Sequence, residues 1–97
     1  GAGLAKSLAY VQPDLIIVEV TFCNRFDNSA LTSGHMTPNI LLQELSSFSN
    51  NNGYLPKIVV IHMHPGLRAE ITKELEEVAL KLGAQITPGI EDMVVDL

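Results

Sequence analysis

Two runs of branched apolar residues, Leu15-Ile16-Ile17-Val18 and Ile58-Val59-Val60-Ile61, constrain this chain more than any other feature. A strand with one wet face alternates apolar with polar residues, so an unbroken run reads as a strand covered on both faces, the habit of parallel sheets. Between the runs, Thr37-Pro38 supplies an N-cap with proline at the first helical position, and Leu41, Leu42, Leu45 and Phe48 follow on one stripe. The spacing predicts a helix from Thr37 to about Phe48, stopped by the polar tract Ser49-Asn50-Asn51-Asn52-Gly53. The alternation of strand and helix implies an α/β layer of parallel βαβ units with crossover helices.

The remaining elements fit the same scheme. Leu4, Ala5, Leu8 and Val11 recur at helical spacing and predict a short first helix, ended by Pro13. The first strand spans Leu15 to Val20, and a polar loop is expected from Asn24 to Ser33. The second strand lies within Lys57 to Met63, and Pro65-Gly66 turns the chain after it. A helix over Leu67 to Leu82 places Leu67, Ile71, Leu75, Val78, Ala79 and Leu82 on one face, with Gly83 as its C-terminal cap and its glutamates toward solvent. Short strands at Ala84 to Thr87 and Met93 to Asp96, separated by Pro88-Gly89, are expected as a small C-terminal pair. The expected total is about three helices.

A length of 97 residues allows one domain and a small core. With 46 % hydrophobic and 18 % charged residues the chain has enough apolar material to fold, so a disordered chain is excluded. Only six Lys and Arg against a net charge of −5 leave no basic patch for phosphate backbones, so nucleic-acid binding by this segment alone is not expected. The apolar runs are far shorter than the roughly 20 residues that span a bilayer, and no membrane segment is expected. A single cysteine, Cys23, cannot close an internal disulfide, and the cytoplasm is the expected compartment.

Ligands of parallel sheets collect outside the carboxyl ends of the strands. Glu19 falls at the end of the first strand, His62 and His64 at the end of the second, and His35 in the loop that leaves the same edge. If the strand persists, His62 and His64 point to one face, a spacing that serves one metal or a metal and its substrate. A carboxylate in a run of Leu, Ile and Val must be paired or functional when buried. His35 stands two residues before the helix start at Thr37, where free amides and the helix dipole favour an anion, which leaves two readings: a phosphate held beside this imidazole, or Ser33-Gly34 simply turning the chain with His35 in solvent. Cys23 reads as a small apolar filler, and Arg25 and Asp27 as a surface pair.

Val18-Glu19-Val20-Thr21-Phe22, then Ser33-Gly34-His35-Met36-Thr37-Pro38 entering a helix, then Val60-Ile61-His62 before Pro65 resemble the second half of a metallo-β-lactamase-fold hydrolase. The likeness spans nearly the whole chain and is greatest to the phosphodiesterase branch, ribonuclease Z and the class II cyclic-nucleotide phosphodiesterases. Glu19 falls on the acidic position of ribonuclease Z's His-Glu-Ala-Thr motif and His35 on the histidine of its His-Ser-Thr motif. The resemblance implies half of an αββα sandwich, in which Glu19 orients His35 and His35 contacts the phosphate or protonates the leaving oxygen. It places His62 as the last metal-binding histidine; His64 has no assigned counterpart in the family and, with Thr37, is expected as a further substrate or supporting contact. Val18 stands where ribonuclease Z commonly has histidine, Met36 replaces serine, and the Ser-Gly-His-Met-Thr-Pro stretch reads closer to the cyclic-nucleotide branch. The family's His-x-His-x-Asp-His cluster and its bridging aspartate are absent from this sequence.

By this resemblance residues 1–97 are a single C-terminal half-domain, inert alone. The complementary half would complete a site for two zinc ions, or manganese or iron, acting on a cyclic nucleotide or an RNA end. Pairing with that half or with a second copy is then expected. Gln12-Pro13-Asp14 and the strand after it also resemble response-regulator receiver domains, with Glu19 at the phosphoacceptor position, which implies a signalling or interaction module without catalysis. That alternative gives the histidines no work.

Overall fold

The computed structural model describes residues 13–89. In chain order these form strand β1 (Leu15–Glu19), a 3-10 turn (Asn24–Phe26), helix α1 (Asp27–Ser33) and helix α2 (Pro38–Asn52). Strand β2 (Lys57–Ile61), a second 3-10 turn (Pro65–Leu67), helix α3 (Arg68–Leu82) and strand β3 (Ile86–Pro88) follow. The strands make one three-stranded sheet in the order β1-β2-β3, parallel throughout. The fold is therefore α/β with crossover helices between parallel strands. The expected helix over 4–11 and strand over 93–96 lie outside the described residues.

Register explains where the core sits. Ile16 pairs with Ile58 and Val18 with Val60, so these four side chains share one face of the sheet. They join a single buried cluster with Leu41, Leu45 and Phe48 of α2 and Ile71 and Leu75 of α3, which puts both helices over that face. Phe48, Leu41, Leu45, Ile58 and Ile71 are fully buried, each worth about 1.5–3 kcal/mol of apolar transfer. The opposite face carries Leu15, Ile17, Val59 and Ile61, of which Val59 is buried and the others half-buried. The unbroken apolar runs thus reflect one packed face and one partly covered face.

Several sequence expectations change. The stretch from Asn24 to Ser33 is helical rather than loop, because Ala30 packs into the interior and Thr32 and Ser33 bond back to the carbonyls of Asn28 and Ser29. Helix α2 runs one turn past Phe48 through the Ser-Asn tract, since Asn52 Nδ2 donates to the Phe48 carbonyl and only Gly53, at φ 76°, ends it. Leu42 is half-buried, and Glu44 takes a buried place on that helix. Helix α3 starts at Arg68, Leu67 belonging to the preceding turn. Finally, β3 spans Ile86–Pro88 rather than Ala84 to Thr87 and adds to the main sheet beside β2, with the Pro88 nitrogen facing away from β2, where its missing N–H costs no bond of that ladder; the partner strand expected at 93–96 lies outside the described residues.

Candidate functional site

The carboxyl ends of β1 and β2 are stitched together beyond the last paired residues. Val20 N–H donates to the Ile61 carbonyl at 3.2 Å, His64 N–H to the Thr21 carbonyl at 2.9 Å, and Phe22 N–H to the Met36 carbonyl at 3.3 Å. Residues 20–22 are thereby held extended between the end of β2 on one side and the segment leading into α2 on the other. His35 reaches this edge through α1. Gly34 caps that helix at φ 77°, a conformation that L side chains rarely adopt, and both Gly34 and His35 donate backbone N–H groups to the Ala30 carbonyl.

The result is an imidazole set against a carboxylate. His35 Nδ1 lies 2.6 Å from Oε1 of Glu19, and the Thr21 hydroxyl donates to the same oxygen at 2.7 Å. With Glu19 accepting, the ring proton belongs on Nδ1 and Nε2 faces outward. Phe22 packs edge-on against the ring, centroids 5.6 Å apart at 81°. Hydrogen bonds from Thr21 and then His35 hold the Glu19 carboxyl below the usual carboxylate range, overcoming the opposing effect of burial. Both partners stay about two-fifths exposed, so the pair is open to a ligand.

The other histidines arrive differently. His62 follows the last residue of β2 with φ 58°, the one non-glycine in the left-handed region among the described residues. This breaks the strand's alternation and turns Met63 into the core, so His62 and His64 do not share a face by strand spacing. A non-glycine residue there costs of order 1–3 kcal/mol, which the surrounding packing must sustain. His62 stays exposed, near enough for its charge to act on Glu19. His64 turns its Nδ1 back to accept from Gly66 N–H at 3.1 Å, leaving Nε2–H as its outward donor.

Thr37 is fully buried and its hydroxyl is used twice, donating to Asp27 Oδ1 and accepting from Ile40 N–H. It starts α2 and is not offered to a substrate. A phosphate held at this helix start, the first of the two readings, has no amides to receive it either. Asn39 N–H donates to Asn24 Oδ1, Leu41 N–H bonds the Thr37 carbonyl, and Pro38 has no N–H. Asp27, which also accepts from Asn39 Nδ2, supplies the negative charge that the helix dipole favours. Asp27 therefore does not pair with Arg25, whose guanidinium joins Glu70 at 3.0 Å and lies over the Phe26 ring at 4.4 Å.

The glutamates of α3 are not all idle. Glu70 and Glu74 bring carboxylate oxygens within 4.8 Å of each other and of the Cys23 sulfur. The Cys23 sulfur faces the Glu70 carboxylate, and Asn24 N–H donates to Glu74 at 2.7 Å. Burial, and then the Glu70 carboxylate, push the thiol's pKa up, so Cys23 is the inert filler expected. The i, i+4 spacing of Glu70 and Glu74 was a usable signal, but the same spacing describes any solvent face. Asn24 and Asn39 carry no sequence mark at all, and Thr21 carries only its place two residues after Glu19 in the stretch that resembles the His-Glu-Ala-Thr motif.

Among the described residues Cys23, Glu70 and Glu74 form the one close group of three potential metal ligands, and Glu19, His35 and His62 do not form another. The residues of this edge therefore do not fit a two-metal centre by themselves. No helix of the described residues is long and apolar enough to cross a membrane. The chain matches no family model, no curated protein and no solved structure, which leaves the geometry of this edge as the ground for any functional reading.

Proposed function

We propose that this chain supplies the acid–base half of a hydrolase site acting on phosphodiesters, of the metallo-β-lactamase-like kind that its motifs resemble. The observation that carries the reading is the 2.6 Å contact between Glu19 and His35 at the carboxyl edge of a parallel sheet. When a phosphodiester is hydrolysed, the oxygen of a water molecule bonds to phosphorus and gives up a proton to solvent, the bond between phosphorus and the leaving oxygen breaks, and that leaving oxygen gains negative charge. A proton on the outward Nε2 of His35 neutralises it, while Nδ1–H stays on Glu19, whose charge stabilises the imidazolium before transfer. Proton donation of this kind contributes typically about 10²–10⁴-fold to the rate. His64 offers a second N–H toward the same edge.

The divalent metal ions that the resemblance calls for, zinc or else manganese or iron, would draw most of their ligands from outside this sequence. His62 is the single residue here assigned to them. Alone, the chain is expected to be inert, and association with a complementary half or a second copy is part of the reading. A receiver-like module leaves His35 and its carboxylate partner without a role.

The test is made on the protein joined to its complementary half, with cyclic nucleotides and RNA 3′ ends as substrates. His35→Ala should lower kcat by about 100-fold or more at unchanged metal content. His62→Ala should lower metal content. Wild-type rates and metal stoichiometry in both variants would refute the proposal.

A further inference from the structure

We propose that Thr21 is a positioning residue of the acid–base pair: its hydroxyl fixes the Glu19 carboxylate, which in turn fixes the ring of His35. This rests on the acid–base reading of the site and adds to it a residue that acts through another. Glu19 ends β1 with 43 % of its side chain exposed, and a free glutamate there has several open rotamers. A carboxylate that wanders gives His35 no constant partner.

Thr21 is built differently. Its branched side chain is stiff at χ1, and its backbone is clamped by the His64 N–H on its own carbonyl and by the bonds of Val20 and Phe22 to either side. Lying two residues on along an extended segment, it projects to the same side as Glu19 and meets Oε1 at 2.7 Å. The same oxygen faces His35 Nδ1 at 2.6 Å, and Thr21 Oγ1 stands 3.5 Å from that nitrogen, which closes a triangle. Since Nδ1 directs its own proton at Glu19, the Thr21 proton goes to Oε1 and not to the ring. Thr21 is therefore no nucleophile awaiting activation by His35; it holds the carboxylate still. The lowered affinity of Glu19 for protons agrees, with Thr21 its largest cause and the charges of His35 and His62 adding to it.

The test is an NMR titration of the 97-residue chain, following the Glu19 carboxyl carbon and the His35 ring nitrogens. Thr21→Val keeps the branched shape and removes the hydroxyl, Thr21→Ser keeps the hydroxyl, and Thr21→Ala repeats the deletion should valine pack badly. In Thr21→Val, Glu19 should titrate at higher pH than in wild type and the His35 ring should show exchange between tautomers. Thr21→Ser should restore both. Spectra of Thr21→Val and Thr21→Ala that match wild type would overturn the proposal. No substrate is needed, so a failure of phosphodiester hydrolysis in the assembled protein would sink the proposed function and leave this result standing.

Discussion

Glu19 enters a polar cluster because it leaves the apolar run at the last residue of β1, where its carboxylate meets a hydroxyl and an imidazole rather than the core. Its pKa is lowered from the ordinary 4.5, first by the Thr21 hydroxyl and then by His35. A carboxyl with a lower pKa folded than unfolded stabilises the fold above its unfolded pKa and loses that contribution as pH falls through the folded one. The window therefore lies below about pH 4.5. With two-fifths of the side chain in water, the effect should stay within about 1 kcal/mol. In urea unfolding, the advantage of wild type over Glu19→Gln should be full at pH 6 and shrink as pH falls from 4.5; a constant difference would contradict the assignment. Cys23 is a second residue whose surroundings decide its behaviour. Buried, and facing the Glu70 carboxylate, it should react with a disulfide reagent only after denaturation, and a thiol titrating rapidly in the native chain would be inconsistent with this packing.

At the scale of elements, the site depends on how two helices begin and end. Helix α1 places His35 through Gly34, whose αL conformation lets the chain turn back to the sheet edge. Gly34→Ala meets no clash, so its expected cost is conformational alone, about 1 kcal/mol by thermal unfolding, with the His35 ring signals displaced. Helix α2 begins on a network in which Asp27 accepts from Thr37 and Asn39, and Asn24 accepts from Asn39 N–H. Asp27→Ala should cost about 1–2 kcal/mol in denaturant unfolding and loosen the junction of α1 with α2; an unchanged midpoint would show the network to be dispensable. Thr37-Pro38 was readable as a helix start because cap and proline are local signals. Its partner Asp27, ten residues earlier, was not readable, because a cap network closed by another helix leaves no fixed spacing in the chain.

For the whole molecule, one apolar cluster joins β1, β2, α2 and α3, so these elements should stand or fall together. Leu45→Ala, at a fully buried position, should cost about 2–5 kcal/mol, a large share of the roughly 5–15 kcal/mol that holds a domain together, and should lower the urea midpoint markedly. Retention of the wild-type midpoint would mean that α2 is not integral to the core. The sequence by itself determined the two parallel strands, the helices α2 and α3, and the placing of Glu19 and His35 at one edge. Each of these follows from side-chain periodicity and from the rule that parallel strands end on a common side. Only the tertiary structure decided that β3 joins the main sheet, that His62 leaves the strand in a left-handed turn, and that Thr37 faces inward. It also decided that Glu70 and Glu74 face Cys23 and Asn24. Those outcomes depend on contacts between residues far apart in the chain, whose energies no local pattern encodes.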